Sequence, residues 1–228
     1  MTRFSALAVL LCAAFWLEPA VSAPERLSKK DEIAFSILRH GHRIGVHRVR
    51  YRLNDDGRRE IEVEARIRIK LAFLTLFRLD HRDQEVWNGD RLMRLDARSK
   101  RNRKRYHVIL EAASDHYLIE TGLDEVRAPG NLVPSSFTKT DFWIPDGSRD
   151  FTLLDTITGR QWPSRLVFVG RTRIDLDGEI ADARHYRIYN LELGSLSHEF
   201  WIDDAGFLLK AHFVTKEGEQ LDYLPIKG

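Results

Sequence analysis

Cysteine is almost absent from this 228-residue sequence. The single cysteine is Cys12, so residues 24–228 contain no thiol. A thiol nucleophile, a cysteine-ligated metal site and a disulfide are therefore excluded from that part of the chain. A folded chain of about 200 residues can still bury a sufficient hydrophobic core without such cross-links.

Net charge is also small. The 36 Lys and Arg residues nearly balance the 34 Asp and Glu residues, which leaves a formal charge of +2. A dedicated nucleic-acid binder usually has a large basic excess, so we expect no nucleic-acid partner. The sequence contains neither a P-loop nor a dinucleotide-binding fingerprint, and it lacks the Gly-x-Ser-x-Gly elbow of many serine hydrolases. We therefore expect no cofactor.

The first 23 residues have the pattern of a secretory signal peptide. Arg3 supplies a positive charge, and residues 4–16 form an apolar run that is short for a permanent membrane span. Small residues follow, up to Ala23. We expect residues 1–23 to be a signal peptide, with an uncleaved anchor as the alternative. Residues 24–228 are then expected to form a single periplasmic or secreted domain.

Strand patterns dominate the rest of the sequence. One run alternates apolar and charged residues without a fault, with Ile61, Val63, Ala65, Ile67 and Ile69 as its apolar members. A period of two over this length predicts a strand with one dry face and one wet face. A turn signal at residues 54–57 separates it from an earlier alternating run, so the two runs are predicted to form a hairpin.

Similar runs recur to the end of the sequence, without the rhythm of alternating strands and helices. We predict an all-β fold of about ten or eleven strands, an antiparallel meander that forms an open barrel or a strongly bent sheet. One or two short helices are expected. Residues 71–77 are apolar on both faces, which predicts a doubly buried strand or a short helix inside the barrel. Residues 122–150, rich in Pro and Gly, predict a long crossover loop.

A dense basic segment spans residues 98–105, between two strand-like runs. Six of its eight residues are basic: Arg98, Lys100, Arg101, Arg103, Lys104 and Arg105. Such a hairpin could bind the phosphates of an anionic membrane surface. A solvated hairpin tip with no partner is the alternative.

Two groups of titratable residues are candidates for chemistry. His81, Asp83 and Glu85 alternate, so on a strand they share one face and could serve a hydrolase or isomerase as acid and base. The same spacing also describes any solvent-facing strand. His40, His42 and His47 surround a glycine turn, but their spacing is not that of metal ligands, so we expect turn histidines and no metal site.

Aromatic residues are candidates for lining a cavity. Small barrels and bent sheets enclose apolar ligands, and an acyl chain would be one such ligand. The candidate ligand-binding residues are Phe73, Phe77, Trp87, Phe142, Trp143, Trp162 and Trp201. The alternative is that these aromatics form an ordinary packed core.

Several short motifs are similar to those of a known family. They are Ile44-Gly45-x-His47, His81-x-x-x-Glu85-x-Trp87-x-Gly89, Leu153-Leu154-Asp155-x-x-x-Gly159 and Phe200-Trp201-x-Asp203-x-x-Gly206. On these motifs the sequence resembles a bacterial family of exported, β-rich proteins of unknown function. The resemblance spans most of residues 24–228 and implies no catalytic residue. A looser similarity links the sequence to periplasmic lipoprotein-carrier folds, in which a bent sheet wraps around short helices.

These observations favour a protein that is not an enzyme. The leading hypothesis is a binder or carrier of a hydrophobic or amphipathic molecule of the cell envelope, such as a lipid. The second is a structural or interaction protein of the envelope with a plain packed core. A hydrolase or isomerase that uses His81, Asp83 and Glu85 is the third, and an outer-membrane barrel is the fourth.

Overall fold

Fifteen β-strands make up most of the computed structural model, which describes residues 32–72, 74–122, 124–215 and 218–226. The expected signal peptide, residues 1–23, lies outside the described residues, and so does Phe73. The strands are β1 (Glu32–Arg39), β2 (His42–Leu53), β3 (Arg59–Leu71), β4 (Leu74–Asn88), β5 (Arg91–Arg101), β6 (Lys104–Ala112), β7 (His116–Thr121), β8 (Asp124–Pro129), β9 (Leu132–Pro134), β10 (Ser148–Leu154), β11 (Gln161–Leu176), β12 (Glu179–Asn190), β13 (Ser195–Ile202), β14 (Leu208–Val214) and β15 (Gln220–Pro225).

All fifteen strands belong to one sheet that curls into a nearly closed barrel. Its order is β8-β7-β6-β5-β4-β3-β2-β1-β15-β14-β13-β12-β11-β10-β9, so the first and last strands pair with each other in the middle. Every pair is antiparallel except β9 with β10. The all-β meander is confirmed. The expected number of strands was too low, because β8, β9 and the start of β10 lie within the segment that was predicted to be a loop.

The hairpin turns divide between the two ends of the barrel. The β3–β4 and β5–β6 turns lie at one end, since Ile67 of β3 pairs with Leu79 of β4, which in turn pairs with Arg101 of β5. We call this the arm end. Successive hairpin turns alternate between the two ends. The β10–β11 turn lies at the arm end and the β11–β12 turn lies at the opposite end, because β10, β11 and β12 pair antiparallel and β9 runs parallel to β10.

Alternation along β3 places its apolar residues inside the barrel. Ile61 and Val63 are 1% and 2% exposed, whereas the side chain of Arg66 is 65% exposed. The predicted hairpin is β2–β3, and across its outer face an Arg50 nitrogen lies 3.3 Å from a Glu62 oxygen. The prediction of one dry and one wet face is confirmed. Exposed ion pairs of this kind contribute only about 0–1 kcal/mol each, so interior packing stabilises the hairpin.

The prediction for residues 71–77 was wrong. This run is neither a doubly buried strand nor a helix, because β3 ends at Leu71 and β4 begins at Leu74. The side chains of Leu74 and Leu76 are 54% and 55% exposed. A hairpin turn in the middle of an apolar run removed the alternation on which the prediction depended.

A crossover segment, residues 135–147, fills part of the barrel interior. It starts beside Leu154 at the arm end and returns to Ser148, because β9 and β10 are parallel neighbours. A 3₁₀ turn at Thr140–Phe142 interrupts it. Phe142 and Trp143 are almost completely buried. The chain itself therefore occupies much of the space that the barrel wall encloses.

Two large hydrophobic clusters divide the core. One, built mainly on β2 to β8, includes Trp87, Leu95 and Leu110. The other contains Phe142 and Trp143 of the crossover segment, packed against residues of β10 to β14 such as Phe200. Among the residues that the structure describes, there is no helix with the length and hydropathy needed to cross a bilayer.

Two glycines of the quoted motifs allow close approaches within the barrel. A Cβ atom on Gly45 would lie 2.3 Å from the carbonyl oxygen of Arg66 in β3. Gly159, with φ of +78°, brings the β10–β11 turn against β6 and β7, and a Cβ there would lie 2.2 Å from Cγ2 of Thr121. A larger residue at position 45 would push β2 and β3 apart, and one at position 159 would clash with the Thr121 side chain and strain the turn.

Candidate functional site

The inner face of β4 presents a row of polar side chains. His81, Asp83 and Glu85 alternate along the strand and all point into the barrel, with exposures of 8%, 0% and 1%. The predicted common face is therefore present, but it faces the interior and not solvent. Burial of two carboxyl groups is costly, because an ionised carboxylate loses its hydration shell. The groups that surround each of them therefore decide what this row can do.

Glu85 accepts hydrogen bonds from three side chains. Trp87 Nε1 donates to one carboxylate oxygen at 2.7 Å, and the hydroxyls of Ser136 and Thr138 also donate to Glu85. Both hydroxyls belong to the crossover segment. Glu85 therefore fastens the segment to the wall of the barrel from the inside.

His81 forms a second set of contacts. Its Nδ1 lies 2.8 Å from the hydroxyl of Ser99 on β5, and its Nε2 lies 3.4 Å from the hydroxyl of Thr156. Thr156 lies in the β10–β11 turn and also contacts the Ser135 hydroxyl at 3.2 Å. The imidazole thus connects β4 and β5 to the turn that closes this side of the barrel.

Asp83 lies between these two networks. Oδ2 is 3.4 Å from Nε2 of His81, the distance of an ion pair when the imidazole is protonated. Within the described ranges, neither carboxylate oxygen of Asp83 accepts a hydrogen bond. A fully buried carboxylate without donors is destabilising by several kcal/mol unless a charge compensates it. Such unsatisfied groups are rare in folded proteins, and they concentrate at functional sites.

The interior shifts the proton equilibria of its titratable groups. Burial, and after it the charge of Asp83, raises the pKa of Glu85 to about 8, although the three hydrogen-bond donors act in the opposite direction. Burial also lowers the pKa of His47 to about 4, with a smaller contribution from His81. The low pKa keeps His47 neutral at physiological pH. Its Nδ1 has no hydrogen-bond partner in the described structure.

A small cavity adjoins this cluster. His47, Ser136 and Thr138 supply polar groups to its lining, and aromatic rings supply most of the rest: Phe35, Tyr51, Phe137, Trp143, Phe200, Phe213 and Tyr223. The centre of a water-sized sphere can move over about 50 Å³ of it. On this measure one water needs roughly 10–15 Å³, so the cavity can hold a few waters.

The expected ligand-binding aromatics lie in different places. Trp143 lines the cavity, while Trp87 and Phe142 are packed in the two core clusters. Phe77 and Trp162 are partly buried at the edges of clusters. Trp201 lies on the outer face of β13, where it stacks on His185 at 4.6 Å between ring centroids. Apart from Trp143, the aromatics that line the cavity were not among those expected and come from β1, β2, β13, β14, β15 and the crossover segment.

The expected membrane-binding residues surround the β5–β6 turn, as the hairpin prediction required. Arg98, Lys100, Arg101, Arg103, Lys104 and Arg105 are all exposed. The expected turn histidines are separated, because His40 and His42 lie at the β1–β2 turn while His47 lies inside the barrel. The prediction of a turn location was therefore wrong for His47. No set of His, Cys, Asp and Glu side chains in the described part of the chain is arranged to hold a metal ion.

Residues 35–226 match the model of a family described as a domain of unknown function, DUF6134. The chain belongs to this family. The match includes the whole barrel except the first residues of β1, and it agrees with the resemblance to a β-rich family of unknown function. Among curated proteins, the sequence has no match.

Solved structures that match this chain include proteins from other domain families of unknown function. A β-barrel-like DUF1849 protein from Brucella abortus superimposes with a TM-score of 0.62 over 86% of this chain and 95% of its own, at 8% identity. A DUF1089 family protein from Pseudomonas aeruginosa has a TM-score of 0.45 and 16% identity, over 89% and 95% of the two chains. The first similarity supports the fold alone. DUF6134 therefore shares a barrel fold with a second family of unknown function.

Sequence reasoning missed the hydroxyl groups that complete the site. Ser136, Thr138 and Thr156 lie more than 50 residues from the β4 residues that they contact. The available signal was a cluster of hydroxyl residues at 135–140 in an otherwise Pro- and Gly-rich segment. This signal cannot specify which strand the segment crosses.

Proposed function

We propose that this DUF6134 protein binds an amphipathic small molecule inside its barrel. The observation that supports the proposal is the composition of the cavity wall, which combines aromatic rings with buried polar groups. His47 Nδ1 in this wall and the nearby carboxylate of Asp83 have no hydrogen-bond partner in the described structure. A molecule with an apolar body and a polar head would satisfy both kinds of surface.

The size of the cavity sets a condition on binding. About 50 Å³ is far below the roughly 300–1,000 Å³ of a typical small-molecule pocket. The crossover segment must therefore withdraw when a larger ligand enters. The Phe137 ring lies 4.7 Å from Phe200 and 5.2 Å from His198, so its departure would free an apolar surface on β13.

The contacts that the segment leaves behind define the chemistry of the ligand. Ser136 and Thr138 donate hydrogen bonds to Glu85, while Phe137 covers the apolar wall. A ligand that replaces the segment needs a hydrogen-bond donor for Glu85 and an apolar body for the β13 wall. A hydroxyl or amine head group meets this need. A carboxylate head group would instead face two buried acidic side chains.

Catalysis is the weaker alternative for the β4 row. An acid or base must reach the atom to or from which it transfers a proton. His81, Asp83 and Glu85 are at most 8% exposed, and none of the three lines the interior cavity. Their contacts with the crossover segment and the β10–β11 turn suit a role in positioning those elements.

The cell envelope is the proposed location. The support is the signal-peptide pattern of residues 1–23, which would direct residues 24–228 across the cytoplasmic membrane. A carrier or sensor of an envelope lipid is the role that fits both this location and the amphipathic interior. A structural protein with a plain packed core would fit the location equally well but would bind no ligand.

A fluorescence titration tests binding. The probe is N-phenyl-1-naphthylamine, an apolar amine dye, with dodecylamine, dodecanol and dodecanoate as competitors. We expect the dye to bind, and dodecylamine and dodecanol to displace it at lower concentrations than dodecanoate. Failure of the dye to bind, or dodecanoate as the best competitor, would contradict the proposal.

Two matched variants locate the site. Phe137→Ala removes the ring that covers Phe200 and should tighten dye binding several-fold, because less of the segment has to be displaced. Trp201→Phe changes the aromatic next to Phe200 on the outer face of β13 and should leave the affinity for the dye unchanged. Equal affinities for all three proteins would place the dye outside the barrel.

A further inference from the structure

The hairpin of β3 and β4 continues beyond the residues with which β2 and β5 pair. Past the Ile67–Leu79 pair, the β3 residues 68–71 pair with β4 residues 74–78. In the described pairing, β2 reaches only Gly45 opposite Ile67, and β5 ends at Arg101 opposite Leu79. We call residues 68–71 and 74–78 the arm. At about 3.4 Å per residue, four residues give the arm a length of roughly 14 Å.

The tip of the arm is apolar. Leu74 and Leu76 are 54% and 55% exposed, and Ala72 beside them is exposed as well. Phe77, nearer the base of the arm, packs against a buried cluster of the barrel. Behind the leucines, Arg68 and Arg78 face each other across the hairpin, and both form ion pairs with Asp80.

The neighbouring β5–β6 hairpin supplies an uncompensated positive charge. Its turn lies next to the base of the arm, because Asn102 N donates a 2.7 Å hydrogen bond to the carbonyl of Arg78. Five exposed cations of this hairpin, Lys100, Arg101, Arg103, Lys104 and Arg105, have no carboxylate within 4 Å in the part of the chain that the structure describes. The chain as a whole is nearly neutral, so this charge is local.

We propose that the arm end docks on an anionic phospholipid bilayer, with Leu74 and Leu76 inserted below the head groups. The apolar and basic parts of this surface are arranged like the layers of a bilayer. The apolar tip of the arm would face the acyl region, and the cations behind it would lie at the level of the head groups. Leucine side chains gain free energy in the acyl region, and basic residues gain it beside anionic head groups. The two contributions act together, since neither a single apolar anchor nor a basic patch alone holds a protein firmly on a membrane.

The test is co-sedimentation with vesicles of phosphatidylglycerol and phosphatidylcholine, compared with phosphatidylcholine alone. We expect binding to the anionic vesicles that weakens as salt rises, because exposed charges are screened. Replacement of Arg101, Arg103, Lys104 and Arg105 by Gln should weaken binding by about a thousandfold at low salt. The double variant Leu74→Ser/Leu76→Ser should weaken it by about tenfold or more.

Matched controls come from the opposite end of the barrel. Ile180 is 65% exposed beside the β11–β12 turn, and Arg173 is exposed on β11. Ile180→Ser and Arg173→Gln should bind vesicles as the unmodified protein does. The proposal fails if the unmodified protein does not bind anionic vesicles. It also fails if the leucine variant binds as well as the Ile180 control, since the arm would then not insert.

A second measurement reports insertion directly and does not depend on affinity. In a Cys12→Ser chain, Thr75→Cys labelled with an environment-sensitive dye should shift to the blue on anionic vesicles, whereas labelled Ile180→Cys should not. No shift at residue 75 in vesicle-bound protein would overturn insertion. The arm variants should leave dye binding inside the barrel unchanged, so failure here is distinguishable from failure of the proposed interior site.

Discussion

The inner faces of β4 and β13 are both buried in the barrel but differ in the kind of side chain that they bury. Phe200 and Ile202 of β13 are 1% and 0% exposed and pack among aromatic rings. On β4 the corresponding inward positions are His81, Asp83 and Glu85, which are also buried but ionisable. The β13 wall gains stability from hydrophobic burial and ring contacts. The β4 wall contains a carboxylate without donors, which costs stability, and a wall of this kind is expected where function requires it.

The largest expected effect is on the aromatic wall. Phe200→Ala removes a ring that lies 4.7 Å from Phe137 and 5.2 Å from Trp143, between the wall and the crossover segment. We expect the free energy of unfolding to fall by about 3–5 kcal/mol. Chemical denaturation measures it, and a loss below about 1 kcal/mol would show that this wall is not tightly packed.

A substitution on the polar wall is expected to change the free energy of unfolding in the opposite direction. Asp83→Asn keeps the shape of the side chain and removes a buried charge that accepts no hydrogen bond in the described structure. We expect the free energy of unfolding to stay the same or to rise by about 1–2 kcal/mol. A loss of more than about 1 kcal/mol would mean that the ion pair with His81 stabilises the fold, and the contrast between the walls would disappear.

Glu85 makes the stability of the polar wall depend on pH. Its pKa rises from 4.5 to about 8 on folding, so the folded protein holds this proton more tightly than the unfolded chain does. Its contribution to stability therefore falls as pH rises from about 4.5 to about 8, by up to roughly 1.4 kcal/mol per pH unit.

The comparison with Glu85→Gln isolates this contribution. The pKa of His47 is lowered from 6.5 to about 4 in the folded protein, so His47 reduces the free energy of unfolding only below about pH 6.5. Between pH 6.5 and 8 the unmodified protein should lose stability while Glu85→Gln should not lose it. Denaturation curves at half-unit steps measure both slopes, and parallel slopes would contradict the raised pKa.

The smallest expected effect is on the outer surface. Arg66→Gln changes a side chain that is 65% exposed, with its nearest carboxylate 3.9 Å away on Glu64. We expect a change within about 0.5 kcal/mol. A larger loss would show that the outer face of β3 is more than a solvated surface.

Alternation along single strands could be predicted from the sequence, and β3 shows why. The side-chain period of two follows from strand geometry alone, so the dry face of Ile61 and Val63 was predictable. The same reasoning grouped His81, Asp83 and Glu85 on one face. It could not show that this face is the inside of a barrel, because that depends on how fifteen strands close.

Two other features depend on contacts between distant parts of the chain. Ser136 and Thr138 meet Glu85 because β9 is parallel to β10, which sends the crossover segment through the interior. No local pattern encodes that pairing. The run at residues 71–77 was misinterpreted for a related reason: Leu74 and Leu76 are exposed on an arm that pairs with neither β2 nor β5 in the described structure.

Native mass spectrometry of the protein, purified without detergent from its own host, tests the central claim most directly. The central claim is that the polar β4 wall and the aromatic β13 wall together hold an amphipathic molecule. We expect a bound species that carries a hydroxyl or amine head group. The Phe137→Ala protein should retain this species, and the Glu85→Leu protein should lose it. Ligand-free protein from every preparation, together with no uptake of dodecylamine or dodecanol, would contradict the claim and leave a packed structural barrel.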